Sequence, residues 1–213
     1  NRVLSGFSEI NSELICVGSF DSVGLDSSPN IASWDGFSWN SIGLPHAISG
    51  YSITDCVKFQ NELFFSGHFC DSSFVLCDLI KWDGINWTKI GGFNGYVFSM
   101  SVYNNELYIG GDLFTGVPGQ HIVKYDGTNF HSVGGDINGP VHKIKVINNQ
   151  LFAAGIFTTA GSSNANCIAR WDGISWFPLT NDTFNNGIND IELFNNELYI
   201  TGSFLRIGID TIY

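Results

Sequence analysis

Charged residues are scarce in this chain, and basic residues are the scarcest of them. Only 14% of the 213 residues are charged, and nine Lys and Arg stand against twenty Asp and Glu, for a formal net charge of −11. Nucleic-acid binding and attraction to anionic membrane surfaces both depend on basic side chains. The composition therefore argues against a nucleic-acid partner and against a membrane surface as a partner.

Long apolar runs and proline are also in short supply. No apolar run reaches the length of about eighteen residues that can span a bilayer, so membrane insertion is not expected. The chain has five prolines but 25 glycines, and 44% of it is hydrophobic. Such a composition argues against disorder and favours many short strands joined by tight turns. The sequence has no initiating Met, and Asn1 leads directly into a strand-like segment, so we expect a processed or excerpted chain.

Two sequence phrases repeat in phase along the chain, at a period of about 45 residues. The first is Asn-Asn-Glu-Leu followed by an aromatic or aliphatic run and Gly, and its copies begin at Asn11, Gln60, Asn104, Asn148 and Asn195. The second is an aliphatic residue, an aromatic-Asp-Gly turn and a further aromatic residue, at 31–39, 79–87, 122–130 and 168–176. Asn-Asn and Asp-Gly are typical of hairpin turns, because these residues tolerate positive φ.

Each repeat therefore predicts four antiparallel strands, called a to d here, and an all-β fold. Val141–Ile147 exemplifies strand a, which precedes the Asn-Asn turn, and 107–111 exemplifies strand b. Four-stranded units of this length predict a β-propeller, a single domain of 1–213 with about five blades. The predicted units are approximately 1–50, 51–95, 96–140, 141–186 and an incomplete 187–213. One strand-a position is apolar in every unit, and its occupants are Phe7, Cys56, Met100, Ile144 and Ile191.

The phrases Leu-Tyr-Ile-Gly-Gly, from Leu107, and Ile-Ala-Arg-Trp-Asp-Gly, from Ile168, resemble kelch-like propeller repeats. They look closer still to the repeats of secreted bacterial surface proteins and of fungal cortical-marker polarity proteins. The resemblance implies blade architecture but little about activity, because propellers serve many functions. Three explanations of the incomplete fifth unit stay open: a longer parent chain, a defective last blade, or completion by another subunit.

Segments of variable length point to one end of the predicted blades as a binding surface. The a–b and c–d turns are uniform, whereas the b–c segments (21–30, 70–78, 115–120, 158–166) and the d–a segments (44–50, 92–95, 136–140, 181–187) differ between units. Variable loops on a rigid scaffold commonly carry binding. The predicted ligand contacts are His46, Tyr51, Phe93, Asp136 and Phe184.

Catalytic and metal-binding motifs are not found in the sequence. A ring of aspartates, Asp35, Asp83, Asp126 and Asp172, recurs, but each precedes Gly in a turn and needs no catalytic role. The five histidines occupy unrelated repeat positions without metal-ligand spacing. We therefore expect a non-enzymatic protein without metal or cofactor.

The five cysteines leave the cellular compartment open. Cys16 and Cys56 align with apolar core positions, whereas Cys70 and Cys77 flank one b–c segment and could form a disulfide. We expect an extracellular or cell-surface module that binds a protein or glycan partner and could assemble with further propeller units or subunits. The alternatives are an intracellular kelch-type adaptor and, with less support, a propeller enzyme. An oxidised Cys70–Cys77 pair would favour the extracellular interpretation.

Overall fold

The structure is a computed structural model that describes residues 3–24, 26–42, 44, 48–71, 76–91, 93, 95–113, 118–180, 183–207 and 210–211. For 26, 48–51, 70–71, 76, 206–207 and 210–211 the description covers the backbone alone. All regular secondary structure in these ranges is β-strand, which confirms the predicted all-β class. The chain divides into two compact units, Asn1–Val97 and Phe98–Tyr213.

Two four-stranded antiparallel sheets form the first unit. Sheet 1 has the order β1-β2-β5-β6 and sheet 2 the order β7-β8-β9-β10, with a small β3-β4 hairpin inserted in sheet 1. The strands are β1 (Val3–Ile10), β2 (Glu13–Ser19), β3 (Ser22–Val23), β4 (Asp26–Ser27), β5 (Ile31–Trp34), β6 (Trp39–Ser41), β7 (Ile48–Phe59), β8 (Glu62–Asp71), β9 (Leu76–Trp82) and β10 (Trp87–Gly91).

The second unit has two more sheets of the same order and, within the described residues, three two-stranded sheets, β17-β18, β21-β22 and β23-β24. Sheet 3 is β11-β12-β13-β14, sheet 4 is β15-β16-β19-β20, and β21-β22 pair alone. The strands are β11 (Tyr96–Tyr103), β12 (Glu106–Asp112), β13 (Ile122–Tyr125), β14 (Phe130–Ser132), β15 (Val141–Ile147), β16 (Gln150–Gly155), β17 (Thr159–Ala160), β18 (Ser163–Asn164), β19 (Ile168–Trp171), β20 (Trp176–Pro178), β21 (Ile188–Phe194), β22 (Glu197–Gly202), β23 (Arg206–Ile207) and β24 (Asp210–Thr211).

The repeat phrases fold as the sequence predicts. The order a-b-c-d is confirmed in all four complete sheets, and β15 has the bounds expected of strand a. Both residues of each a–b turn have positive φ, as at Asn104 (49°) and Asn105 (61°). Asn tolerates this left-handed conformation better than other residues with a side chain, which explains its recurrence in the repeat.

Glycine recurs near the end of strand b because strand a bulges against it. In sheet 4 the register shifts between Val141 and Lys143, directly opposite Gly155. A Cβ on Gly155 would collide with the backbone oxygen of Pro140. The same collision with strand a would occur at the equivalent Gly18 and Gly67. The repeated glycine therefore makes room for a β-bulge, and not for a ligand.

Sheets that follow one another in the chain pack face to face within each unit. Strand β7 contacts β1 and β2 in the first unit, and in the second unit β15 contacts β12 while β21 contacts β15 and β16. One cluster joins Tyr108 of β12 to Ile144 and Trp171 of sheet 4. Another joins Phe152 of sheet 4 to Ile191 of β21. Alternating side chains thus bury both faces of sheet 4.

Phe7 departs from the repeat pattern. The equivalent Cys56, Met100, Ile144 and Ile191 are buried, as expected, whereas Phe7 is exposed. Ile144 and Ile191 lie under the preceding sheet of their unit. Phe7 is 55% exposed, so no described sheet covers the corresponding face of sheet 1. The same apolar position is therefore core or surface according to its neighbours.

Candidate functional site

The b–c and d–a segments of the second unit converge around a cavity of about 310 Å³, called the loop-end pocket here. Its described lining comes from Asn138 before β15, 156–158 after β16, Cys167 before β19 and 184–186 before β21. Asn138, Thr158 and 184–186 belong to the variable segments predicted from sequence as a binding end, and Ile156, Phe157 and Cys167 directly flank one of them. The lining combines apolar side chains with amides, as small binding sites commonly do.

Asn138 fixes one wall of this pocket. Its Oδ1 accepts hydrogen bonds from the backbone N–H groups of Thr158 and Thr159, both at 2.9 Å. Its Nδ2 donates to the Thr158 hydroxyl at 2.8 Å. A single amide therefore ties the d–a segment after sheet 3 to the b–c segment of sheet 4, which holds the wall in place before any ligand arrives.

Phe184, one of the predicted contact residues, lies in the pocket lining. Its ring makes an edge contact with Phe204, with the ring centroids 5.1 Å apart. The neighbouring Asn185 accepts the backbone N–H of Leu205 at 2.9 Å through Oδ1. This wall thus rests on the segment that follows β22, and Phe184 is half-buried. It presents part of an aromatic ring to the cavity.

Asp136, a second predicted contact residue, makes hydrogen bonds that connect neighbouring loops. Its carboxylate accepts the backbone N–H groups of Gln120 and Ile137, each at 2.8 Å. Its backbone oxygen accepts the N–H of Gly161 at 2.6 Å. Asp136 therefore joins the b–c segment of sheet 3 to the β17–β18 hairpin of sheet 4, and it lies two residues before Asn138 of the pocket.

Two repeat positions beside the b–c segment hold different side chains in each sheet. The first position directly follows the repeated glycine of strand b, and the second directly precedes the aliphatic residue at which strand c begins. In chain order the pairs are Ser19 with Asn30, His68 with Asp78, Asp112 with His121, and Ile156 with Cys167. The backbone bond beside the pair is shared: Gly111 N–H donates to His121 oxygen and Gly155 N–H to Cys167 oxygen, both at 3.0 Å.

The acidic and imidazole partners of this pair exchange places between sheets 2 and 3. His68 Nδ1 lies 3.7 Å from Asp78 Oδ1, and His121 Nδ1 lies 3.3 Å from Asp112 Oδ1. Sheet 4 has the apolar pair, and both of its members line the loop-end pocket. The apolar character of the pocket therefore arises from a local substitution at a repeat position whose backbone does not change.

Of the remaining predicted contacts, Phe93 does not join this site. Phe93 is fully buried, and its backbone N–H donates to Asp78 Oδ2 at 3.0 Å. Phe93 is therefore a core residue, and the prediction of a ligand contact was wrong there. An aromatic side chain in a short loop can turn into the core as easily as towards solvent, and the sequence does not show which. His46 lies outside the described residues, and Tyr51 is described by its backbone alone, within β7. Their predicted contacts stay predictions.

A second cavity, of about 230 Å³, lies on sheet 1 and has no counterpart among the predicted residues. Its lining is mostly apolar and consists of Val3, Leu4, Cys16, Phe20, Ser22, Val23 and Trp39. The β3–β4 hairpin covers Cys16, which is buried as predicted. The repeat pattern gave no local signal for this cavity, because its lining combines β1, β2, the β3–β4 segment and β6.

The carboxylates of the recurrent aspartates accept hydrogen bonds within their own turns. Asp126 Oδ1 accepts the backbone N–H groups of Thr128 at 2.7 Å and Asn129 at 2.8 Å. Asp35, Asp83 and Asp172 make the same pair of bonds. These donors lower the pKa of all four carboxyls, to about 2 for Asp35 and Asp126. The turn role predicted from sequence accounts for their recurrence.

The described cysteines are buried free thiols: Cys16, Cys56, Cys77 and Cys167. Burial raises the pKa of each, so none has the exposed thiolate that a nucleophile requires. Strands β8 and β9 place Cys77 opposite Phe69, and Cys70 opposite Leu76. The Cys77 thiol donates to the backbone oxygens of Leu79 and Gly91. The side chain of Cys70 lies outside the described part, so the disulfide stays a prediction.

Within the described ranges, no cluster of three or more His, Cys, Asp or Glu side chains could hold a metal ion. Across the same ranges, no helix has the length and apolarity needed to cross a membrane. Comparison with known proteins adds no relative: no protein-family model and no curated protein matches the chain.

Proposed function

We propose that the four-stranded sheets are blades of a β-propeller. Two observations support this architecture: every complete sheet has the order a-b-c-d, and consecutive sheets stack face to face within each unit. A propeller is the arrangement in which such sheets continue around one axis. Small-angle X-ray scattering provides the test, since a curve that fits two separate stacks better than a ring contradicts the proposal.

We further propose that the protein is a non-catalytic binding module whose loop-end pocket receives an apolar side chain of a protein partner. The single observation that carries this proposal is the convergence of three variable segments around a cavity of about 310 Å³. Its described lining has exposed apolar surface at Ile156 and amide groups at Asn138 and Asn185. No carboxylate, imidazole or amine belongs to that described lining, so general acid–base chemistry has no support there.

A protein partner suits this lining better than a sugar does. Sugars stack on exposed aromatic faces, whereas Phe184 offers a half-buried ring that is held by Phe204. The net charge of −11 continues to argue against nucleic acid. A glycan remains the second candidate ligand, because the Asn138, Asn185 and Asn186 amides could meet hydroxyl groups.

A matched pair of isoleucines tests the proposed binding end. Ile156 lines the loop-end pocket, and Ile174 lies at the tip of the opposite c–d turn, where it is 83% exposed. A phage-displayed library of random peptides would be selected on the immobilised chain, with a glycan array as the second arm. Ile156→Asp should weaken selected peptides by about tenfold or more, because a carboxylate is poorly accommodated in an apolar contact.

Ile174→Asp is the control and should leave the same peptides unaffected. The proposal fails if binding depends on Ile174 and not on Ile156, since the ligand would then lie on the turn end. Selected sugars that lose binding with Ile156→Asp would replace the protein partner with a glycan at the same pocket.

We propose an extracellular or cell-surface location, which rests on the resemblance of the repeats to secreted proteins. An intracellular kelch-type adaptor is the competing proposal, and the observation that favours it is the set of buried free thiols at Cys16, Cys56 and Cys167. Peptide mapping of the native protein under non-reducing conditions separates the two. A linked Cys70–Cys77 peptide supports the extracellular location, and alkylation of both thiols supports the adaptor.

A further inference from the structure

Asparagine is followed by glycine at three places in the chain, 94–95, 138–139 and 186–187. Asn94 lies outside the described residues, whereas Asn138 and Asn186 both line the loop-end pocket. In an Asn-Gly pair the glycine nitrogen can approach the side-chain amide of the asparagine readily, because glycine has no Cβ in the way. The two asparagines of the pocket therefore share one latent reaction, but their amides have different partners.

The amide of Asn138 is bound to the neighbouring b–c segment. Its Oδ1 accepts the backbone N–H groups of Thr158 and Thr159, both at 2.9 Å, and its Nδ2 donates to the Thr158 hydroxyl at 2.8 Å. The backbone N–H of Asn138 also donates to the Thr159 oxygen at 3.1 Å. An approach of this amide to the nitrogen of Gly139 would break all three side-chain hydrogen bonds.

The amide of Asn186 is directed at its own glycine. Its Oδ1 accepts the backbone N–H of Gly187 at 2.8 Å. Because Cγ is one C=O bond of about 1.2 Å from that oxygen, the Gly187 nitrogen lies within about 4 Å of Cγ. Gly187 precedes β21, so its N–H is not part of the β21–β22 pairing, and Asn186 is exposed to water. The reacting atoms are therefore close together and accessible.

We propose that Asn186 is a site of spontaneous deamidation and that Asn138 is protected from it. Hydroxide removes the proton of the Gly187 amide, and the nitrogen forms a bond to Cγ of Asn186. The bond from Cγ to Nδ2 breaks, and Nδ2 takes a proton from water and leaves as ammonia. Water then opens the resulting succinimide ring, at Cγ to give aspartate or at the main-chain carbonyl carbon to give isoaspartate. The net reaction consumes one water and releases one ammonia.

The reaction would place a carboxylate in a pocket whose described lining has no charged side chain. A carboxylate beside Ile156 and Phe184 disfavours an apolar ligand group, because that group would compete with the water around the charge. This consequence rests on the binding role proposed for the pocket, whereas the deamidation itself does not.

Peptide mapping of the folded full chain after incubation at mildly alkaline pH tests the reaction. Trypsin separates the two asparagines, since Asn138 belongs to the peptide 125–143 and Asn186 to the peptide 171–206. Mass spectrometry with fragmentation then measures the conversion of each one. We expect Asn186 to react about tenfold faster or more, because Asn138 must first lose three hydrogen bonds.

The same mapping in guanidinium chloride is the control, and there the two asparagines should react at similar rates. Equal rates in the folded chain, or a faster reaction at Asn138, would overturn the proposal. A difference that persists in the denaturant would also overturn it, because the cause would be the local sequence and not the folded structure.

Two variants at position 186 complete the experiment. Asn186→Gln should slow the appearance of acidic species in ion-exchange chromatography, because its ring closure needs one more atom. Asn186→Asp imitates one product and should weaken the peptides selected on the loop-end pocket by about threefold or more. Unchanged binding by Asn186→Asp would overturn the effect on the pocket. Peptides that are insensitive to Ile156→Asp would instead overturn the binding role, without affecting the result of the mapping.

Discussion

Two hairpins of the second unit, β15–β16 and β21–β22, share one sequence phrase and one geometry but have different surroundings. Both have two Asn residues with positive φ at the turn, and both have a bulge near the start of strand a. Phe152 of β16 is 6% exposed, whereas the equivalent Tyr199 of β22 is 49% exposed. The sequence phrase thus determines the hairpin conformation. The burial of its aromatic side chain depends on the third strand of the sheet and on the next sheet.

The largest expected contrast comes from truncating these two aromatic side chains. Phe152→Ala should lower the free energy of unfolding by about 3–5 kcal/mol, because it leaves a cavity in a packed cluster. Tyr199→Ala should cost less than about 1 kcal/mol, because its ring already meets solvent. Urea unfolding followed by tryptophan fluorescence measures both, and equal losses would show that the two hairpins are equally packed.

A smaller effect is expected at the fourth strand, which β21–β22 lack within the described residues. Trp176 of β20 is buried, and its indole N–H donates to the Val133 backbone oxygen at 3.1 Å. Trp176→Phe removes this donor and leaves a buried carbonyl oxygen without it, at a cost of about 1–3 kcal/mol. Thermal unfolding would detect the loss. An unchanged midpoint would mean that strand d contributes little to sheet 4.

The turns are where the two hairpins should behave alike. Asn149 has φ 58° and Asn196 has φ 64°. Alanine at either position should cost about 1 kcal/mol, because an L residue without a short polar side chain is strained there. Glycine at the same positions is the control and should cost less. Hydrogen exchange at β16 and β22 amides measures the two effects, and a large difference between them would contradict a purely local role.

The smallest contrast concerns acid. The pKa of Asp126 is lowered to about 2 by backbone N–H donors, so its stabilisation is present above its ordinary pKa near 4 and disappears as the pH falls through about 2. The pKa of Asp172 is lowered in the same way, whereas described β21–β22 have no Asp-Gly turn. Asp126→Asn should flatten the dependence of the urea midpoint on pH between about 4 and 2. An unchanged slope would assign acid sensitivity to other groups.

Local sequence was sufficient to predict the strands and turns of each repeat. Asn104-Asn105 and Asp126-Gly127 specify their turns through backbone conformation and hydrogen bonds within a few residues. The inserted hairpins β3–β4 and β17–β18 were not predicted. Each strand has two residues, too few to display an alternating pattern.

Predicting the site was harder, because it depends on which way loop side chains turn. Phe184 and Phe93 both occur in d–a segments, yet one lines a cavity and the other is fully buried. Asn138 was missed as a pocket wall because its amide bonds Thr158, twenty residues away, and no local pattern records that contact. The exposure of Phe7 was missed for a related reason, since burial depends on which sheet packs against a strand and not on the residue itself.

The same pair of repeat positions holds His68–Asp78 in sheet 2, Asp112–His121 in sheet 3 and Ile156–Cys167 in sheet 4. The side chains at these positions thus change while the strands on either side of them are kept. The glycine bond beneath them is the same in sheets 3 and 4, so a new occupant disturbs neither the bulge nor the packed faces. Two positions in each sheet can therefore differ in charge and polarity while the surrounding backbone stays the same. A protein engineer could vary these two side chains sheet by sheet without redesigning the fold.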